Sequence, residues 1–350
     1  MLFFQTNRTK DRARQIEYCS RNALNYILSK VNQQGGWSDF KTNRSGESTS
    51  WVTAYILNNV TELLPIKTIE NAYSFLITER NNDGFWGFSK NIPSDLDSTI
   101  NVLFALKRND YQFNDEMASF IKIHQKENGG FSTYSDVDQL VNYRKSKVGE
   151  DFKGWLTEHI CVSALTLEYL FTTQSKSGQI NFDKALGYLI EQQNSLGYWE
   201  SYWWRTNYYS TEIILKLLNV SNRHLFQKAI MKGINYIVDN WDQNGWWDNG
   251  IDKNKPCIIS TSRNIKTLIY FDKRKYRIMV EKSLDWILDQ QNINGDWENE
   301  PILRIPQPAN ILPNEIIDWK IGGFGVGSVC NDNNHLYTTA SVLNILRKYK

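Results

Sequence analysis

Three features are missing from the sequence, and each absence excludes a class of protein. The 40 Lys and Arg residues nearly balance the 38 Asp and Glu residues, for a net charge of +2, and no basic cluster occurs. Binding to nucleic acid through a basic face is therefore not expected. No run approaches the ~18 apolar residues of a membrane span. The apolar start at 1–4 gives way at once to polar residues, so no signal peptide is expected.

Cysteine is also scarce. The four cysteines, Cys19, Cys161, Cys257 and Cys330, are widely separated, and no Cys-x-x-Cys pair occurs. A disulfide framework is not expected, which predicts a cytoplasmic protein with reduced thiols.

Aromatic residues are abundant: 13 Trp, 18 Tyr and 16 Phe. In a chain of nearly zero net charge they indicate a large apolar cavity or an interface. They also fill ordinary cores, so the composition alone leaves these alternatives open.

A short signature recurs along the chain: a glycine, one residue, then an aromatic. Successive glycines are about 50 residues apart, except for one interval with an insertion of roughly twenty residues. The copies are Gly35/Trp37, Gly84/Trp86, Gly129/Phe131, Gly197/Trp199, Gly245/Trp247 and Gly295/Trp297. An amphipathic stretch with helical periodicity precedes the signature, and a more apolar stretch follows it.

The repeating unit is thus helix, turn, helix, and it occurs six times, from 11–31 and 48–61 to 275–291 and 337–349. We expect the glycine to end the first helix and a Ser/Thr pair to cap the second. No strand-like alternation is found. The more apolar second helices predict an inner ring, and hence an all-α (α/α)6 barrel, a toroid of six hairpins. We interpret 1–350 as one domain without a second barrel domain.

The full form Gln-x-x-x-Gly-x-Trp occurs at Gln193–Trp199 and Gln291–Trp297, and with Phe at Gln125–Phe131. It resembles the QW repeat of squalene–hopene cyclases and related class II terpene cyclases. The resemblance implies the same barrel. It also implies a structural role for these Gln and Trp residues, which tie neighbouring helices together.

Two further segments resemble motifs that contain the catalytic residues of these cyclases. Asp95-Leu96-Asp97-Ser98-Thr99 resembles the DxDD(T) motif of class II cyclases, with Ser98 in place of the third carboxylate. Thr157-Glu158-His159 resembles the Thr-x-His segment whose histidine bonds the catalytic aspartate. The resemblance implies that Asp97 is the general acid, oriented by Asp95 and His159. Motif support is expected from Ser98, Thr99 and Thr157.

Protonating an isolated alkene requires a strong acid held in its protonated form, which an apolar cavity favours for a carboxyl group. The carbocation that forms needs aromatic faces and the exclusion of water. The segment Asn207-Tyr208-Tyr209 also resembles an aromatic segment of these cyclases. The residues expected to line the substrate pocket are Trp51, Trp86, Phe88, Trp155, Trp203, Asn207, Tyr208, Tyr209 and Trp247.

The resulting hypothesis is an isomerase, a class II terpene cyclase acting on a linear isoprenoid. A prenyl diphosphate of sesqui- to diterpene size is the expected substrate. A diphosphate would need basic groups and Mg²⁺ near the rim. The available cations are Arg205, Lys253, Lys255, Arg263 and Arg304.

The closure of the pocket has three alternatives: the loops 132–154 and 300–334, a partner domain or second copy of the chain, or an open pocket. Peripheral membrane contact through 1–4 or 302–311 is a further expectation.

Other functions fit parts of the pattern. Asp95 and Asp97 could be helix-cap carboxylates, and His159 a core histidine. The toroid could bind an isoprenoid or a protein without catalysis. It could also be a protein prenyltransferase β-like subunit, but Asp252, Cys257 and His335 do not form an evident zinc ligand set, so no metal is assigned.

Overall fold

The structure is a computed structural model that describes residues 2–109, 111–146, 149–174 and 178–349. Helices dominate it. They are α1 (Leu2–Ser29), α2 (Ser50–Val60), α3 (Ile66–Thr78), α4 (Leu96–Lys107), α5 (Asp115–His124), α6 (Val137–Arg144), α7 (Lys153–Leu156), α8 (Ile160–Thr173), α9 (Phe182–Glu191), α10 (Tyr208–Asp239), α11 (Ile258–Asp272), α12 (Arg277–Asp289) and α13 (Leu336–Tyr349). Helix α10 contains two helices of the repeat, separated by non-helical backbone at Asn222.

The inner ring consists of α2, α4, α8, the first half of α10, α11 and α13. Each packs on the next, and α13 packs on α2, so the ring is closed. The outer helices α1, α3, α5, α9, the second half of α10 and α12 each precede an inner helix along the chain. Inner helices are buried on nearly all sides, because they face both the axis and the outer ring. The predicted (α/α)6 barrel is confirmed.

The repeated tryptophans hold each hairpin together. Five indoles are fully buried, and each Nε1 donates to the backbone carbonyl ten residues earlier, near the end of the outer helix. These bonds are 2.6–2.8 Å long, from Trp37, Trp86, Trp199, Trp247 and Trp297. A buried indole needs such a partner to offset its desolvation.

The hydroxyl pairs have a different role from the predicted cap. In α4, Asp95 is the N-cap residue, and Thr99 lies within the first turn. The Thr99 Oγ1 accepts a hydrogen bond from the backbone N–H of Trp86 at 3.2 Å. Equivalent bonds from the other five aromatics reach Thr53, Ser163, Thr211, Thr261 and Thr339. The hydroxyls therefore fix the signature loop to the inner helix.

The QW glutamines join neighbouring hairpins. Gln193 Nε2 donates to the carbonyl of Gly197 and to that of Ala229 in the next outer helix, both at 2.9 Å. Gln291 does the same across the chain ends, donating to Gly295 and to Cys19 in α1. The last outer helix is thereby joined to the first, which closes the outer ring.

The sequence predicted that each signature glycine ends an outer helix, and this prediction was wrong. Helix α3 ends at Thr78, well before Gly84. All six glycines lie in turns at φ between +89° and +107°, a region that residues with a Cβ rarely adopt. A Cβ on Gly197 would also collide with the carbonyl of Lys232, so the glycine permits close contact with the next outer helix.

Among the described residues, five short strands that the sequence did not predict lie in the loops before the inner helices. β1 (Asp39–Thr42) pairs with β2 (Gly46–Ser48). In a second sheet β5 (Ser328–Cys330) lies between β3 (Leu303–Ile305) and β4 (Lys320–Ile321). Both sheets lie on the side of the barrel where the inner helices begin.

Within the described part of the chain, no helix has both the length and the apolar character needed to cross a bilayer. The membrane contact predicted for 1–4 concerns side chains outside the described residues.

Candidate active site

A cavity of about 870 Å³, including the open space at its mouth, lies at the amino-terminal ends of the inner helices. Its wall is mostly apolar and aromatic. The lining residues are Phe40, Thr42, Ser45, Trp51, Phe88, Ile92, Asp95, Asp97, Ser98, Thr133, Tyr134, Leu140, Tyr143, Trp155, Trp203, Trp204, Leu303, Arg304 and Ile305. Both aspartates of the sequence motif therefore face this cavity.

Asp95 is a buried N-cap of α4. Its Oδ1 accepts from the backbone N–H of Ser98 and its Oδ2 from the Ser98 hydroxyl, both at 2.7 Å. Burial, followed by the charge of Asp97, raises the pKa of Asp95 to about 8. The helix-cap interpretation thus applies to Asp95. Ser98 replaces the third carboxylate of the motif, and its hydroxyl donates to Oδ2 of Asp95.

Asp97 lies one residue into α4 and is not a cap. Its side chain is only partly buried, because it faces the cavity. Its Oδ2 accepts a hydrogen bond of 2.8 Å from the indole nitrogen of Trp51. Burial raises the pKa of Asp97 to about 6, although the Trp51 bond opposes this rise. A carboxyl group with this exposure and pKa can carry a proton to a molecule in the cavity.

His159 does not bond Asp97, contrary to the prediction. Its Nε2 lies 2.8 Å from the carbonyl of Gly154, and its Nδ1 lies 2.7 Å from Oγ1 of Thr133. Since a carbonyl only accepts, Nε2 carries the proton, and burial lowers the pKa of His159 to about 4. His159 is therefore neutral and accepts at Nδ1.

Thr133 connects this histidine to the cavity wall. Its hydroxyl donates to His159 and accepts from the indole nitrogen of Trp203 at 2.7 Å. Its carbonyl accepts from the backbone N–H of Leu96, between the two aspartates, at 2.9 Å. His159 thus orients Thr133 and Trp203, and acts on the aspartate loop only through the backbone. The neighbouring Thr157 bonds Glu158 and does not line the cavity.

The predicted pocket aromatics divide into two groups. Four of them line the cavity: Trp51, Phe88, Trp155 and Trp203. The other five predicted residues, Trp86, Asn207, Tyr208, Tyr209 and Trp247, are absent from its described wall. Trp86 and Trp247 are structural indoles of the repeat, so their assignment to the pocket was wrong. Tyr209 lies behind the wall, stacked on Trp204 with ring centroids 4.8 Å apart.

Much of the wall comes from residues that the sequence motifs did not identify. Trp204 forms one surface, and its ring stacks on those of Tyr209 and Tyr337. Tyr134, Leu140 and Tyr143 come from the loop 132–154, and Leu303, Arg304 and Ile305 from 300–334. Both loops therefore contribute to the enclosure, as one of the three alternatives predicted.

The two loops also contact each other above the site. Trp155 donates from its backbone to the carbonyl of Pro308 at 3.2 Å and from its indole to that of Pro306 at 3.1 Å. A Cβ on Gly154 would collide with the backbone of Asn310, so glycine permits this contact. Tyr202 donates its hydroxyl hydrogen to the same Asn310 carbonyl at 2.7 Å.

Of the five cations proposed for a diphosphate, Arg304 alone is part of the described cavity wall. It is buried and donates to Oδ1 of Asn314 at 2.5 Å and to the carbonyl of Ser201. Arg205 pairs with Glu300, Lys255 lies near the same carboxylate, and Lys253 is exposed. Arg263 pairs with Glu212, away from this cavity. The described residues contain no group of three or more His, Cys, Asp or Glu placed to hold a metal ion.

Comparison with known proteins shows which proteins this chain and its candidate site resemble. The family model of the squalene-hopene cyclase C-terminal domain matches residues 86–258, a segment that includes Asp95, Asp97 and His159. A variant of type II terpene cyclase MstE from Scytonema, in complex with geranylgeranyl dihydroxybenzoate (substrate), is 25% identical, with a TM-score of 0.85 over 97% of this chain and 98% of that one. The segment that matches the family model is just under half of the chain, and nearly the whole chain matches the fold of a type II terpene cyclase.

Other solved structures agree with this fold. A second MstE variant, in complex with merosterolic acid A (product), matches with the same identity, coverage and TM-score. The cyclase-like toroid is also similar to ent-copalyl diphosphate synthase from Streptomyces platensis, at 13% identity and a TM-score of 0.61 over 86% of this chain and 50% of that one. The latter similarity concerns the fold alone. Comparison with curated protein sequences gives no match.

Proposed function

We propose that this protein is a class II terpene cyclase in which Asp97 protonates an alkene of a linear isoprenoid and the cavity guides ring closure. One observation carries the proposal: Asp97 faces an apolar, aromatic cavity and has its pKa raised to about 6 by burial. A carboxyl group held in this way keeps its proton at a higher pH than one in water and can present that proton to an apolar substrate.

The reaction is an isomerisation and is balanced without a further reactant. The carboxyl proton of Asp97 forms a new C–H bond at one alkene carbon, leaving a carbocation at the other. The next alkene attacks this cation and closes a ring. Loss of a proton from the last cation restores neutrality, and one solvent proton returns to Asp97. The aromatic rings of Trp51, Trp203 and Trp204 border the cavity and can stabilise the cations by ~0.5–2 kcal/mol each.

The substrate we propose is a linear isoprenoid of about diterpene length with a head group of low charge. Its length is supported by MstE, which binds geranylgeranyl dihydroxybenzoate. The head group is inferred from the wall, because Arg304 is its only cation among the described residues. The prenyl diphosphate with Mg²⁺ stays a prediction and is the competing arm of the experiment.

The experiment is a turnover assay in D₂O, followed by mass spectrometry. Geranylgeranyl dihydroxybenzoate, geranylgeranyl diphosphate, farnesyl diphosphate and squalene are supplied separately, with and without Mg²⁺. We expect a cyclised product that contains one deuterium on carbon, because the acid exchanges with solvent before it protonates the substrate. A product without deuterium would contradict protonation as the first step.

The matched variants are Asp97→Asn and Asp183→Asn. Asp183 is an exposed carboxylate in the first turn of the outer helix α9. We expect Asp97→Asn to abolish turnover with unchanged helical circular dichroism, and Asp183→Asn to retain it. Full activity in Asp97→Asn would contradict the assignment of the acid. Binding of an isoprenoid without turnover by the folded wild-type protein would support the non-catalytic toroid.

A further inference from the structure

A cluster of charged side chains lies within the barrel, away from the aromatic cavity. Its centre is Glu212, in the first half of α10, whose carboxylate is only 2% exposed. Glu212 accepts from Nη1 of Arg263 at 2.8 Å, lies 2.8 Å from Nζ of Lys266, and also pairs with Lys216. One buried carboxylate thus holds three cations, so positive charge is in excess.

Two more ionisable groups belong to the same cluster. Lys348 and Glu168 interact electrostatically with Glu212 and Lys266. Four cations therefore face two carboxylates. Burial lowers the pKa of Lys216 to about 7 and that of Lys348 to about 8, while Glu212 and Glu168 oppose this shift.

A small cavity lies beside this cluster, with a volume of about 210 Å³ that includes the open space at its mouth. It is lined by Tyr55, Asn59, Glu212, Ser262, Arg263, Lys266, Ser341 and Ile345. Two of its donors, Oγ of Ser262 and Nε of Arg263, are buried and have no hydrogen-bond partner among the described protein atoms. Ser262 is 1% exposed and Arg263 is 7% exposed. Buried donors of this kind require a partner, and a molecule within the cavity can supply one.

Aromatic rings separate this cavity from the candidate active site. The guanidinium of Arg263 lies 4.3 Å from the ring centroid of Tyr209 and donates to the hydroxyl of Tyr337 at 2.9 Å. Trp204 stacks on both tyrosines and lines the large cavity, whereas Arg263 does not line it. A molecule bound at Arg263 would therefore not touch the isoprenoid.

We propose that this second cavity, the floor cavity, binds a small oxyanion of the phosphate, diphosphate or carboxylate type. Arg263 and Lys266 supply charge-assisted donors, and Ser262 supplies a hydroxyl. The anion offsets the positive charge of the cluster that Glu212 and Glu168 do not neutralise. The cavity is small and most of its lining residues are polar, so it does not suit an isoprenoid chain. The inference is independent of the proposed cyclisation.

The test is isothermal titration calorimetry of the full chain without isoprenoid. Sodium phosphate, diphosphate and acetate are titrated separately at constant ionic strength, with chloride as the reference. We expect saturable binding of one oxyanion per chain by at least one of the three, and their ranking identifies the source. Lys266→Gln should weaken this binding at least tenfold, Ser262→Ala should weaken it severalfold, and Lys266→Arg should largely retain it.

The matched control is Lys282→Gln, an exposed lysine on the outer helix α12. It removes the same charge from the chain and should leave binding unchanged. Thermal unfolding gives a second measurement: the bound oxyanion should raise the melting temperature of wild type but not of Lys266→Gln. No saturable binding, or equal weakening by Lys282→Gln and Lys266→Gln, would overturn the proposal. Because no turnover is measured, failure here is distinguishable from failure of the cyclase assay.

Discussion

The indole nitrogen of Trp51 donates a 2.8 Å hydrogen bond to Oδ2 of Asp97. This bond joins inner helix α2 to inner helix α4 at the wall of the cavity. It occupies one carboxyl oxygen and fixes the orientation of the group. No described protein atom bonds the other oxygen, Oδ1, so the proposed acid can hold its proton there, toward the substrate.

Replacing Trp51 by Phe tests this relationship. The bond stabilises the ionised carboxylate, so its loss should raise the pKa of Asp97 further. We expect the alkaline limb of the pH profile of kcat/KM to move to higher pH, while kcat falls roughly tenfold because the acid is less well oriented. Product formation across pH 5–9 measures both. A profile identical to that of wild type would show that the bond has no role in holding the proton.

The pH dependence of the wild-type protein follows from the same carboxyl group. Burial raises the pKa of Asp97 from 3.8 to about 6, so the proton is held below pH 6 and lost above it. The pH profile of kcat/KM should be level near pH 5 and fall as pH rises through about 6. Substrate excludes water and raises this pKa, so kcat should fall at a higher pH. A rate that rises with pH through this range would contradict acid catalysis by Asp97.

The raised pKa of Asp97 also predicts a stability effect. A carboxyl whose pKa is higher in the folded than in the unfolded state costs stability above the unfolded value, and the cost grows until pH passes the folded value. Asp97→Asn removes this cost. It should raise the free energy of unfolding by up to about 3 kcal/mol at pH 8 and by little at pH 4. Urea unfolding at both pH values measures the difference. Equal effects at pH 4 and pH 8 would contradict the shifted pKa.

The barrel could be predicted from the sequence because its contacts repeat. In each copy of the signature, the aromatic residue contacts both helices of its own hairpin. The same local pattern therefore indicates the same tertiary contact at six places in the chain. Details of the loops could not be predicted in the same way. Gly84 and Thr99 were interpreted as helix-end residues, but both hold the signature loop, since local cap patterns do not distinguish a cap from a contact one turn later.

The candidate site was only partly predictable. Asp95 and Asp97 share a short motif, and the structure places both at the cavity. Trp204 and Arg304 come from distant parts of the chain and meet only through the pairing of 203–205 with 302–304. No local motif marks such residues. The predicted bond between His159 and Asp97 was wrong for a related reason. The loop 131–134 lies between these two residues, and His159 bonds Thr133 of that loop in place of Asp97.

Closure of the outer ring can be tested at Gln291. Its side-chain amide joins the loop after α12 to the carbonyl of Cys19 in α1. Gln291→Ala leaves two buried carbonyls without this donor, and should lower the free energy of unfolding by about 1–3 kcal/mol. Hydrogen exchange should accelerate in α1 more than in α5, which lies elsewhere in the ring. Uniform acceleration, or none, would contradict a closing role for this residue.

The last test concerns Thr133. Variants of this residue distinguish a role in orienting the cavity wall from a role in packing alone. Its hydroxyl accepts from Trp203 and donates to His159, while its carbonyl bonds the backbone between the aspartates. Thr133→Val keeps the shape but leaves the Trp203 indole without an acceptor and His159 Nδ1 without a donor. Thr133→Ser keeps the hydroxyl and is the matched control.

We expect Thr133→Val to reduce kcat roughly tenfold and to increase the share of incompletely cyclised products, because Trp203 no longer has a fixed position at the wall. Thr133→Ser should retain most activity and the wild-type product ratio. A structural role alone would lower the stability of Thr133→Val without changing that ratio. Product analysis at a temperature at which both variants are folded therefore decides whether the bond from Thr133 to Trp203 positions the substrate-facing ring during cyclisation.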